Sequence, residues 1–187
     1  MEQKNKKKIS TQTIIKLLLA VVLLGLSAFL LKGDVWTFWT WWLLAGVMGF
    51  AAMPVTGRLF WRFEDKGWIF SKVLAIAETG FLTWFLTAIR LIPFNALTCA
   101  AVTILCAVIC FFLLRKESKE KTECFPVDRI SLIYWEELLF FLAFLMWTYL
   151  AGFRPAAYGT EKFMDYGFME AMMRSTTLPA RDLWYSE

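Results

Sequence analysis

Residues 14–53 read IIKLLLAVVLLGLSAFLL, then KGD, then VWTFWTWWLLAGVMGFAAM. The first run is broken only by Lys16, the second contains no charge, and three residues (Lys32, Gly33, Asp34) join them. A bilayer core of about 30 Å is crossed by about 20 mostly apolar residues in helical form. These two runs therefore read as two spanning helices folded into a tight antiparallel hairpin. The basic start (Lys4, Lys6, Lys7, Lys8) resembles a secretory leader, but the apolar run is too long for one and no small-x-small site follows closely. The expectation is a retained anchor.

Three more runs of the same kind follow, at 68–89, 95–114 and 131–153. The expected fold class is all-α: a polytopic helical integral membrane protein with five spans at 14–31, 35–53, 68–89, 95–114 and 131–153. A basic cytoplasmic segment (1–13) precedes this bundle (14–153), and an outer tail (154–187) with a short amphipathic helix follows it. Composition agrees: 59% of the 187 residues are hydrophobic and 19% charged, against about 45–50% and about 25% in soluble domains. Lipid bilayer is the first partner implied. A net charge of +4 alongside long apolar runs argues against nucleic acid. With no histidine there is no imidazole base, no Ser-His dyad and no histidine-bound zinc. Cys99, Cys106 and Cys110 share one apolar run, Cys124 follows in a charged loop, and none form a C-x-x-C pair. They read as reduced packing residues, with no metal site expected.

Charge sets an expected orientation. For an inside N-terminus, twelve Lys and Arg fall on the inner side and six on the outer, with Lys16 and Lys72 within spans. Cytoplasmic loops collect these residues, so the N-terminus is expected inside and the tail outside. Trp36, Trp39, Trp41 and Trp42 then read as an aromatic belt at one surface, Pro54 as the end of the second run, and 115–129 as a solvated connector.

Ionisable groups inside spans are expensive and need a reason. Lys72 is about 6 Å into its helix, and Glu136 and Glu137 enter the fifth run from the same side. A tie between Lys72 and one of these glutamates would lower the cost for both. Glu78 is about 15 Å deep, where it serves either as a protonated structural carboxyl or as a proton or substrate relay.

The tail changes character. Thr160 is a helix N-cap candidate and Glu161 lies in the first turn. Phe163, Met164, Gly167, Phe168, Ala171 and Met172 form an apolar stripe. Asp165 stands one turn after Glu161, and Glu170 can pair with Arg174. The spacing alone is compatible with a plain surface helix.

The run Gly159-Thr160-Glu161-Lys162-Phe163-Met164-Asp165, with Phe168, Arg174-Ser175, Leu178-Pro179 and Asp182-Leu183-Trp184, resembles the YYY membrane-protein family of large polytopic bacterial and archaeal proteins. The likeness extends upstream through Glu64-Asp65-Lys66-Gly67 and Glu136-Glu137-Leu138, from about residue 58. Phe163 stands where the family commonly has proline, and the tyrosine run that names the family would lie beyond Trp184. The resemblance implies that this chain is the N-terminal part of a protein with more membrane helices, inactive by itself. It further implies a layout similar to GT-C-type glycosyltransferases, which use lipid-phosphate sugars at the outer face. Glu161 or Asp165 would then take the acceptor proton. Lys162, Arg174 or Arg181 would hold the phosphate of a polyprenyl-phosphate sugar donor, and Asp182 would bind acceptor or a divalent cation. Two other readings stand beside this one: a non-catalytic membrane protein binding lipid or a partner, and a transporter component built on Glu78.

Overall fold

The computed structural model describes residues 11–120, 125–153, 162–181 and 183–184. These residues are helical throughout apart from turns, with no strand among them. Five long helices are followed by a short one: α1 (Thr11–Leu31), α2 (Val35–Leu59), α3 (Trp68–Ala88), α4 (Ala96–Glu120), α5 (Ile130–Gly152) and α6 (Lys162–Arg174). Four to five of them are long and apolar enough to cross a membrane, because Thr11–Leu59 forms one continuous helical stretch of 49 residues.

That stretch is not straight. Twelve residues of α-helix would separate Ser27 from Trp39 by about 18 Å, yet the Trp39 indole N–H donates to Ser27 Oγ at 3.0 Å. The reversal occurs at Lys32, whose φ of 50° is in the left-handed region. A short 3-10 turn, Lys32–Asp34, completes it. Two antiparallel helices result.

Pro54 does not end its helix, contrary to the sequence expectation, and α2 runs five residues further to Leu59. An interior proline forfeits a backbone hydrogen bond. Here Met53, Pro54, Thr56 and Gly57 are all buried, and that packing offsets the loss. At the same end of the bundle α4 likewise continues to Glu120, into the stretch expected to be a wet connector. Cys124 and the rest of that connector up to 124 lie outside the described residues.

Burial departs from that of a water-soluble core. Ser27, Thr56, Ser71, Lys72, Thr83 and Thr87 are buried alongside Phe38, Met53, Phe141 and Leu145, whereas most large apolar side chains along the spans face outward. Lipid tails are as apolar as leucine, so nothing drives apolar side chains inward; small and polar residues mediate contact between helices instead. The hydroxyls of Thr79, Thr83, Thr87 and Thr103 donate to carbonyls one turn back, which satisfies them within their own helices. The closest crossing is α2 on α3, where Gly49 lets the backbones approach. A Cβ there would meet Ser71 Oγ at 2.7 Å and Lys72 Cγ at 2.9 Å.

Helix α5 packs against α1, α2 and α3, and α4 covers the opposite side of α2 and α3. Phe38 of α2 stacks on Phe144 of α5 and meets Phe141 edge-on. Lys16 Nζ donates to Ser131 Oγ, and the Tyr134 hydroxyl donates to the Lys16 carbonyl. The helices alternate in direction. One end of the bundle therefore gathers the start of α1, the α2–α3 loop, the end of α4 and the start of α5, tied by Arg58 to the Leu113 carbonyl and by Arg129 to Glu64. The other end gathers the two hairpin turns and the end of α5.

Candidate functional site

Two groupings of polar side chains stand out, one inside the bundle and one at the end carrying the hairpin turns.

The first is centred on Glu137. Its Oε2 accepts from Lys72 Nζ at 2.7 Å and from the Trp68 indole at 3.0 Å, while its Oε1 accepts from the Trp42 indole at 2.8 Å. Lys72 is only 2% exposed. Its ammonium also lies 4.7 Å from the Trp68 ring centre and 4.8 Å from that of Phe140. A charge this well enclosed persists because its pair, two indole dipoles and two ring faces replace water. Between the two glutamates considered in the sequence, geometry selects Glu137. Glu136 points elsewhere, and its Oε2 is buried without a hydrogen-bond partner.

Two of the four clustered tryptophans depart from the belt expected for them. Trp36 and Trp41 face outward, 71% and 61% exposed. Trp39 and Trp42 turn inward and spend their N–H groups on Ser27 and Glu137. Helical geometry places residues three or four apart on one face, so Trp39 and Trp42 share one side of α2. Nothing local to the sequence marked that side as the interior.

Glu78 stands apart. It lines a cavity of about 190 Å³ between α2, α3 and α4, with Thr79, Thr103, Cys106, Cys110 and otherwise apolar walls. Cys99, Cys106 and Cys110 are free thiols, the last two buried.

The second grouping is the tail. The Phe94 N–H, just before α4, donates to the Thr176 carbonyl at 2.8 Å. Met172 and Leu178 help wall a cleft against Thr79, Thr83, Trp84 and Phe94, so the tail is docked at the α3–α4 turn. Leu183 and Trp184 fold back onto α6. The Trp184 ring meets Phe163 edge-on at 5.9 Å, and a Cβ on Gly167 would lie 3.0 Å from Leu183. The predicted apolar stripe is incomplete, because Tyr166, Met169 and Met173 add an outward apolar face and no α6 residue is buried.

Arg174 and Arg181, seven residues apart, line one polar cavity of about 440 Å³ with Ser175, Thr176 and Thr177. Arg174 also donates to Glu170 at 2.8 Å, and this hydrogen bond, with one from Tyr166, holds the Glu170 carboxyl below its usual range. Asp165 and Lys162 are exposed on the first turn of α6. Glu161, Asp182 and Thr160 lie outside the described residues. Among the described residues no three Cys, Asp or Glu side chains converge to hold a metal ion.

An apolar exterior, long apolar helices and a charged knot between them define an all-helical membrane protein. The chain belongs to a family of uncharacterized membrane proteins (DUF2298), whose model matches residues 78–187, more than half its length. That match includes Glu78, Glu136, Glu137 and the entire tail, and excludes Lys72 and the first hairpin. Searches of curated proteins and of solved structures returned no match.

Proposed function

We propose that this membrane protein belongs functionally with GT-C-type glycosyltransferases, taking a sugar from a lipid-phosphate donor at the outer face, with the N-terminus inside and the tail outside. The observation that carries this reading is the cavity shared by Arg174, Arg181 and three hydroxyl residues at the hairpin end of the bundle. Guanidinium groups bind phosphate bidentately, and serine and threonine hydroxyls add further donors. A cavity of this chemistry beside the membrane suits the phosphate of a polyprenyl-phosphate sugar. The exposed apolar residues Tyr166, Met169 and Met173 suit contact with lipid next to it.

In the reaction, the acceptor hydroxyl oxygen attacks the anomeric carbon while the bond from that carbon to the phosphate oxygen breaks. The leaving phosphate keeps the electron pair, held by Arg174 and Arg181; Lys162, at the opposite end of α6, does not line that cavity. The hydroxyl proton passes to a carboxylate, Asp165 or Glu161, because a neutral hydroxyl attacks poorly. Asp182 serves acceptor binding. The Lys72–Glu137 knot ties α3 to α5 beneath this end.

The test is the extracellular glycan of cells making the complete protein. Arg174→Gln with Arg181→Gln, or Glu161→Gln with Asp165→Asn, is expected to abolish a glycan modification that the wild type supports, at unchanged protein level. An unaltered glycan profile in both pairs of variants refutes sugar transfer and favours a lipid- or partner-binding protein. Loss of proton-coupled uptake on Glu78→Gln would instead point to transport.

A further inference from the structure

At the hairpin end, on the side of the bundle formed by α1, α2 and α5, an open cavity of about 510 Å³ collects a different set of side chains. Asp34, Thr37, Thr148 and Tyr149 contribute polar atoms, and Trp41 and Phe153 contribute rings. Its volume falls in the range of small-molecule sites, about 300–1,000 Å³.

The polar groups here are uncommitted in a way that others in this bundle are not. Threonine hydroxyls elsewhere on α2, α3 and α4, at Thr40, Thr79, Thr83, Thr87 and Thr103, bond to their own helix. Among the described residues, no hydrogen bond is formed by the side chains of Thr37, Thr148, Tyr149 or Asp34. Asp34 precedes α2 without capping it. One carboxylate, three hydroxyls and flanking aromatic rings, with no cation among the described residues that line the cavity, form a poor anion site. They match a neutral polyhydroxylated ring, which offers hydroxyls to the carboxylate and C–H faces to the aromatics.

We propose that this cavity binds an uncharged saccharide, either as the headgroup of a glycolipid or as a free glycan. The proposal deepens the sugar-transfer reading, on which it rests for its place in a reaction, by separating a sugar pocket from the arginine-lined phosphate pocket. Trp41 and Phe153 flank the ring, Asp34 accepts from its hydroxyls, and Thr148 and Tyr149 fix its orientation.

The experiment measures binding without turnover. The full chain in phosphatidylcholine nanodiscs is titrated with monoglucosyl diacylglycerol in one arm and free maltose in the other, following the part of the tryptophan emission that Trp41→Phe removes. A saturable change is expected in at least one arm: glycolipid alone identifies a headgroup, and both arms identify a free glycan. Plain diacylglycerol and phosphatidate are expected to produce none. Asp34→Asn with Thr148→Val should weaken the response by about tenfold or more, and Tyr149→Phe, which keeps the ring, should weaken it less. Those side chains carry no internal bonds, so an unchanged melting curve is expected to accompany the loss. Where the double variant melts lower, Tyr149→Phe alone decides.

The inference is overturned by silence in both sugar arms, by an equal response to phosphatidate, or by undiminished binding in the variants. Arg174→Gln with Arg181→Gln should leave this binding intact. Thus loss of transfer with binding retained, or the reverse, tells which of the two readings has failed.

Discussion

Removing the charge of Glu137 while keeping its shape is the sharpest perturbation this bundle offers. Glu137→Gln leaves an amide in place of a carboxylate that accepts three hydrogen bonds, and it strands Lys72, whose side chain is only 3% exposed. At 2.7 Å and an effective dielectric of about 20, the lost attraction is about 6 kcal/mol before solvation is counted. Breaking a buried pair by removing one partner costs about 3–5 kcal/mol in practice. The Glu137 side chain is 22% exposed, which brings the expectation to the lower end, about 3 kcal/mol. At about 2–4 °C per kcal/mol for a chain of this size, the melting midpoint in detergent should fall by about 6–12 °C. Adding Lys72→Met should recover most of that loss, because it removes the stranded cation. Tryptophan emission should shift as well, since two indoles donate to the same carboxylate. Glu136→Gln, which breaks no bond among the described residues, should shift the midpoint far less. If Glu137→Gln melts within about 2 °C of wild type, or if Lys72→Met fails to rescue it, the knot does not hold the bundle and the reasoning is wrong.

Two further outcomes follow from single positions. Gly49→Ala should destabilise the bundle by about 1–3 kcal/mol through overpacking, because its methyl would press on Ser71 and Lys72, whereas Gly46→Ala, whose methyl would meet nothing within 4 Å, should not; comparative melts of the two variants check this. Direct carbon NMR titration of the Glu170 carboxyl should give a midpoint below the ordinary glutamate range, returning toward it in Arg174→Gln. A depressed folded-state pKa means that the contribution of the Glu170–Arg174 pair to α6 is complete above the unfolded value and is lost as pH falls through the folded one.

The five apolar runs were readable because lipid imposes a length and a composition on any helix that crosses it, and those constraints act on local sequence. The helix starts at Val35, Trp68, Ala96 and Ile130 lie within a residue of the positions read from the runs. The run to Leu59 through Pro54 was not legible, since the packing that tolerates a proline comes from α3. The same limit explains the tryptophans: Trp36, Trp39, Trp41 and Trp42 are chemically alike and lie within two turns, and only their neighbours on other helices decide which two face inward. In the tail, the family resemblance implied phosphate chemistry, but only the fold-back after α6 brings Arg181 and Arg174 to one cavity.

The amino-acid sequence by itself determined the all-helical, membrane-embedded character of this protein and the rule that any charge within its helices needs a partner. These follow from transfer energies that each segment feels alone. Tertiary structure decided which partner Lys72 takes, that Asp34, Thr148 and Tyr149 face one cavity, and that two arginines meet beyond α6. Those outcomes depend on distances between segments, which no local pattern of residues encodes.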